Sequence, residues 1–162
     1  MIPFIALSGT LLFILLILTI ILSRIWNTRV ELVKEIESNL DKDPTSDWGV
    51  ERGKRCMDWV DSVFSKKHAT LRKTLWEKGF KGGHTDVPPE VVAWLDKATS
   101  EYHKRRIYSI LDQVDTLSSE ALLKLWSDIL TEICGDDQTH KDAVNEAVLA
   151  DDKVSPAAKS WL

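Results

Sequence analysis

Hydrophobic and polar positions fall into two regimes along this chain. From Ile2 to Ser23 there are 22 residues without one charge, and every Lys, Arg, Asp and Glu lies after them. At about 1.5 Å per residue such a run makes a helix of roughly 33 Å, slightly more than the ~30 Å of a bilayer's hydrocarbon core. The pattern predicts a transmembrane anchor over residues 1–26. Ile2, Phe4, Leu12, Phe13, Leu16 and Ile20 sit in the apolar layer, and Trp26 sits at headgroup level, where an indole keeps its ring in apolar surroundings and its N–H wet. A secretory signal peptide would need a basic leading stretch, a shorter apolar core and small residues at a cleavage point. Here only Met1 precedes the run, and Ile21-Leu22-Ser23 close it.

After Ser23 the spacing becomes amphipathic. Val30, Val33, Ile36 and Leu40 recur at three- and four-residue intervals, so the helix is expected to continue as a stalk to about Leu40. Residues 27–45 are assigned to stalk and linker, which ends in Asp41–Ser46 with its Pro44. Residues 46–162 follow as a cytosolic domain of about five to six helices. Ser46 or Asp47 caps a helix to about Ser65, with Gly53, Cys56, Met57, Val60, Val63 and Phe64 on one face. Gly49 and Gly53 each cost about 1 kcal/mol there relative to Ala, and close approach of another helix is one compensation.

Further along, a short helix runs from about His68 to Gly79, and Pro89 opens a long helix to about Val114. Ser118 caps a helix that Gly135 ends. Thr139 with Asp142 resembles a capping box, and Ser155-Pro156 opens a last short turn. No stretch alternates with period two over strand length, so the fold class is all-α.

The long helix carries an unusual pattern. At 100° per residue Val91, Trp94, Leu95, Ala98 and Tyr102 cluster on one side, and Ile107, Ile110, Leu111 and Val114 nearly opposite. Either the helix breaks near His103-Lys104-Arg105-Arg106, or its two halves pack against different neighbours. Two sub-lobes joined by the helix 89–114 would account for this.

Charge then sets orientation. Arg24, Arg29 and Lys34 follow the run and no Lys or Arg precedes it, so the N-terminus is expected outside and the large domain in the cytoplasm, as in a bacterial inner membrane. Cys56 and Cys134 lack a CxxC spacing and are expected as free thiols of a reducing compartment. The net charge of −4 hides an asymmetry: residues 51–84 carry nine Lys/Arg against four Asp/Glu, and residues 110–154 three against eleven. That complementarity favours contact between sub-lobes or self-association.

Candidate chemistry is sparse. His68, His84, His103 and His140 lie too far apart for a zinc signature, and neither Cys has a second ligand within a turn, so no metal or cofactor is expected. No GxSxG or local Cys-His signature supplies a nucleophile. Gly82-Gly83 beside Lys81 lacks the GxxxxGK[ST] surroundings of a phosphate loop. The basic segment 52–81 interleaves cations with Trp59, Phe64, Trp76 and Phe80, and Lys66, Lys67, Arg72, Lys73 and Trp76 are its candidates for contact with anionic lipid or a partner. Trp161, at the terminus, is a candidate interface anchor, with docking on its own core as the alternative. Nucleic acid is not expected of a chain with pI ≈ 5.6.

The function expected from these features is that of a membrane-tethered accessory subunit, adaptor or regulator, not an enzyme. Its partners would be the bilayer and either a membrane protein or a second copy of itself. A peripheral anionic-lipid-binding module is the first alternative. An enzyme on a membrane substrate is the second, and it would need a pocket that groups His and carboxylates from separated helices.

Overall fold

The computed structural model describes residues 4–64, 71, 74–83 and 86–162, with the backbone course alone for 4–12, 21, 22, 24–26, 64, 75, 79 and 80. The elements are α1 (Phe4–Glu37), α2 (Asp47–Phe64), a π-helical segment (Leu75–Phe80), α3 (Pro89–Leu111), α4 (Ser119–Cys134), α5 (Gln138–Ala150) and α6 (Pro156–Trp161). The protein is all-helical, and the described residues contain no strand. Among those residues no helix is long and apolar enough to cross a membrane. The run from Ile2 to Ser23 extends beyond them. Within it Phe13 to Leu18 present six consecutive large apolar side chains that are exposed, from 40% at Ile17 to 63% at Phe13.

Local chemistry fixes the helix ends. Ser46 Oγ accepts from Gly49 N at 3.2 Å, Ser118 Oγ from Ala121 N at 3.3 Å and Ser155 Oγ from Ala158 N at 3.1 Å. Such caps contribute about 1 kcal/mol each. The expected Thr139–Asp142 box is replaced by a cap two residues earlier, where Asp137 accepts from His140 N at 3.0 Å. Asp137 directly follows the turn that Gly135 makes with φ 63°, so it reaches the first free amides before Thr139 does. α3 stops at Leu111, short of Val114, because the chain tightens into i→i+3 bonds from Gln113 N to Ile110 O and from Val114 N to Leu111 O.

Two apolar clusters are strung along α3. The first joins Leu32 and Ile36 of α1, Cys56 of α2, and Val87, Val91, Val92, Trp94, Leu95 and Ala98. The second joins Ile107 and Leu111 to Trp126, Ile129 and Leu130 of α4, Val148 of α5, Val154 and Ala158. α3 is unbroken through His103–Arg106, so its change of apolar face is a change of neighbour. Residues 27–45 are built into the first cluster: Ile36 is fully buried and Trp94 Nε1 donates to Lys42 O at 2.8 Å. Trp48 meets Trp94 edge-on at 5.6 Å.

Helix directions follow from cross-chain contacts. Arg105 Nη1 reaches Asp47 at 2.6 Å, and a Cβ at Gly53 would lie 2.5 Å from Ala98 O, so α2 and α3 run antiparallel with backbones nearly touching at Gly53. That close approach explains a glycine in mid-helix. At Gly49 the crowding comes from the preceding turn instead, with Pro44 O 2.1 Å from a Cβ position. Arg29 pairs with Asp86 just before α3, so α3 runs parallel to α1 and α2 returns toward the end of α1 nearest the apolar run. Glu35 accepts from Arg52 Nε at 3.0 Å and Arg55 Nη1 at 2.7 Å, locking α2 to α1.

A candidate ligand cleft along the central helix

Beyond the first cluster, the α3 face that carries Ile107 continues toward the N-terminus as His103, Ser100, Thr99 and Asp96, at spacings of three and four residues. This polar stretch, in which Thr99 is buried, Asp96 and His103 half-buried and Ser100 exposed, floors a cleft of about 620 Å³. One wall is Cys56, Met57 and Val60 of α2. The opposite wall is Ile133 of α4 with Val144, Ala147 and Val148 of α5. The volume lies in the range usual for small-molecule sites.

Polar groups gather at the two ends and are largely paired. At the N-terminal end of the α3 floor, Asp96 Oδ1 accepts from Trp76 Nε1 at 3.0 Å and pairs with Lys81 at 3.0 Å; Lys81 also reaches Glu77 at 3.3 Å. The π-helical segment makes this possible, since its i→i+5 bond from Lys81 N to Trp76 O (2.9 Å) widens the turn and brings Trp76, Glu77 and Lys81 to one rim. Burial works against the charge on Lys81, but its bonds to Asp96 and Glu77 outweigh this and raise its pKa. At the other end Arg106 forks onto Glu132, with Nη2 to Oε2 at 3.1 Å, and the Tyr108 hydroxyl donates to Asp151. Lys104 stands 3.7 Å from the same carboxylate. Burial first, and the neighbouring Asp151 carboxylate second, push the Tyr108 phenol up to about 12. The hydrogen bond from Tyr108 holds Asp151 below the usual carboxylate range.

Between these ends the cleft is quieter. Thr99 turns its hydroxyl onto its own helix, donating to Leu95 O at 2.8 Å. Burial pushes the Cys56 thiol up to about 12, so it stays protonated and is no nucleophile. His103 and His140 complete the lining, and His140 Nδ1 is buried with no hydrogen-bond partner among the described residues. No group of three or more His, Cys, Asp or Glu among those residues is placed to hold a metal ion.

The residues singled out by sequence are distributed differently. Lys66, Lys67, Arg72 and Lys73, like Ile2, lie outside the described residues, and so do the side chains of Phe4, Leu12 and Trp26. Phe13, Leu16 and Ile20 are exposed on α1. Trp76 is half-buried against the first cluster and lines the cleft. Trp161 packs edge-on against Trp126 at 6.2 Å, docked on the second cluster. Several cations of the basic segment are spent within the fold, Arg52 and Arg55 on Glu35, Lys54 on Asp58, and Lys81 on Asp96. The cleft's position was not anticipated, but it does group His103 and His140 with Asp96, Glu132 and Asp151 from separated helices, the condition set for the enzyme alternative. Its only sequence signal is the polar N-terminal continuation of the Ile107 stripe. No protein-family model, characterised protein or solved structure matches this chain.

Proposed function

We propose that this chain is a single-pass membrane protein, N-terminus outside, whose cytoplasmic helical domain serves as an accessory subunit or adaptor of another membrane protein. The observation that carries it is the continuity of α1, which leads from the charge-free run directly into the first cluster at Leu32 and Ile36. A helix apolar on every side, as over Phe13–Leu18, needs lipid or protein around it. Fixing that helix into the domain core turns the anchor into a rigid mount, which confines the domain to a thin layer and raises its effective concentration near partners there. The test pairs alkaline carbonate extraction with C-terminal reporters. Retention in the membrane with only a cytoplasm-active reporter is expected; release to the supernatant, or activity only of an exterior reporter, overturns it. For the adaptor role, crosslinking and mass spectrometry in native membranes should return a recurrent membrane-protein partner, and its absence refutes that role.

A second proposal, contact with anionic lipid, draws on the return of α2 toward the end of α1 nearest the apolar run. Lys66, Lys67, Arg72 and Lys73 follow α2 directly in sequence. Clustered cations near a bilayer surface contribute about 1 kcal/mol each when the lipid is anionic. With the full chain in lipid nanodiscs, amide exchange over residues 65–81 should slow in phosphatidylglycerol relative to phosphatidylcholine. Alanine at all four cations should abolish the difference, and equal exchange in both lipids refutes the contact.

A further inference from the structure

We infer that the cleft along α3 is a binding site for a single-chain acyl amphiphile, of the fatty-acid or lysolipid class. Its dimensions bear on the occupant: from Asp96 to Tyr108 the floor runs twelve residues, about 18 Å of helix, and a volume of about 620 Å³ along that length suits one extended chain of small-molecule size. An extended peptide would need backbone partners, yet the floor is a helix whose own amides and carbonyls are bonded and which offers no strand edge.

The walls are chiefly apolar, with Met57 and Val60 on one side and Ile133, Val144 and Val148 on the other, while Ser100, His103 and His140 are the polar groups between the ends and the Thr99 hydroxyl is engaged with its own backbone. Lys81 and Lys104 stand beside their carboxylates at the two ends. Lys104, at 3.7 Å from Asp151, is the more loosely held and the better placed to turn toward an anionic head.

Position narrows the class further. Ser23 to Arg29 is about 9 Å of helix, and from Pro89, just after the Asp86 that pairs with Arg29, α3 adds about 10 Å to Asp96. The near end of the cleft thus stands about 19 Å beyond the apolar run, farther than a headgroup layer. A ligand must leave the bilayer to reach it, which single-chain amphiphiles do readily and two-chain phospholipids do not. This step rests on the proposed anchoring only for the nearness of a bilayer.

The experiment uses the full chain in phosphatidylcholine nanodiscs with a palmitic acid bearing a terminal diazirine, photolysed and mapped by peptide mass spectrometry. Label is expected on the peptides holding Met57–Val60 and Val144–Val148, displaced by unlabelled palmitate. Ser100→Trp and Ala147→Trp fill the groove from exposed positions on its lining, whereas Ser127→Trp, exposed on α4, lies outside it. Cleft label should fall at least about tenfold in the first two, equivalent to ~1.4 kcal/mol, and be unchanged in the third. Circular dichroism confirms that each variant is folded. Label on α1 without label in the cleft of the unsubstituted chain overturns the proposal and leaves the anchor standing. Cleft label indifferent to both tryptophans also overturns it. Cleft label with none on α1 upholds the acyl site and removes the anchor.

Discussion

Ile36 is the position where a tether and a structural member make opposite predictions. Its side chain is fully buried among cluster residues from α2 and α3, although it lies in the segment that joins the apolar run to the domain. Ile36→Ala removes three buried carbons and leaves a void walled by helices that are themselves pinned, α1 to α2 through Glu35 with Arg52 and Arg55, and α1 to the start of α3 through Arg29 with Asp86. Little collapse is possible there, so a loss of about 3–4 kcal/mol is expected, in the upper part of the 2–5 kcal/mol found for such truncations. For a chain of this size that is a fall of roughly 6–16 °C in Tm. Thermal unfolding of the full chain in nanodiscs, followed by Trp fluorescence, measures it, since Trp48 and Trp94 sit in the same cluster. A free stalk would tolerate the change within about 0.5 kcal/mol. A shift under about 2 °C would refute the claim that α1 is part of the core.

Gly53→Ala should destabilise, because its Cβ would meet Ala98 O at 2.5 Å; an unhindered helical Gly→Ala gains about 1 kcal/mol, so the sign alone in a urea melt decides whether α2 and α3 touch there. Glu35→Gln should cost about 1–2 kcal/mol at pH 7. Hydrogen bonding to Arg52, reduced by burial and reinforced by Arg55, holds the Glu35 carboxyl below its ordinary 4.5, so its stabilisation is present above that pH and is lost as pH falls through the lower folded value. The gap between the parent and variant should therefore close in acid, and a gap that widens would contradict the pairing. Tyr108→Phe should cost about 1 kcal/mol by removing the bond to Asp151. It should also delete a phenolate transition near pH 12 from the absorbance titration. Because the folded pKa is raised, the tyrosine's contribution is complete below pH 10 and fades as pH rises toward 12.

The helix inventory was legible because its signals are local. Ser118, Gly135 and Ser155 mark ends through backbone groups within three or four residues, and the stripe switch in α3 could be counted off the sequence. What it could not supply was the neighbour each stripe meets. The 30–40 spacing announced an amphipathic helix, but whether Ile36 met a partner protein or this chain's own Val91 and Trp94 depends on contacts some sixty residues away. Gly53 was readable as a possible close approach, with Ala98 as its partner beyond reach. Capping at Asp137 was missed because the rival Thr139–Asp142 pair fits the same rule two residues later. The cleft was hidden for a deeper reason. Asp96, Thr99, Ser100 and His103 are individually ordinary on a helix, and only α2 and α5, brought to either side by separate clusters, make their face the floor of a groove.

That origin bears on how the site could be used. α2 and α5 do not belong to one cluster: the first wall is set by α1 and Gly53, the second by α4 and the Trp126–Trp161 contact. α3 is the shared element, and the Arg106–Glu132 fork and the Tyr108–Asp151 bond are the braces between its C-terminal half and the second wall. Each wall is thus packed on α3 through its own core, the first by Val91, Val92, Trp94, Leu95 and Ala98 and the second by Ile107 and Leu111. Because α1 enters the first cluster directly, a tilt or rotation of the apolar helix would move Met57 and Val60 together with it, relative to Val144 and Val148. Were the proposed anchor and the proposed ligand both present, occupancy of the groove and orientation of α1 would be linked, and by reciprocity each would bias the other by the same free energy.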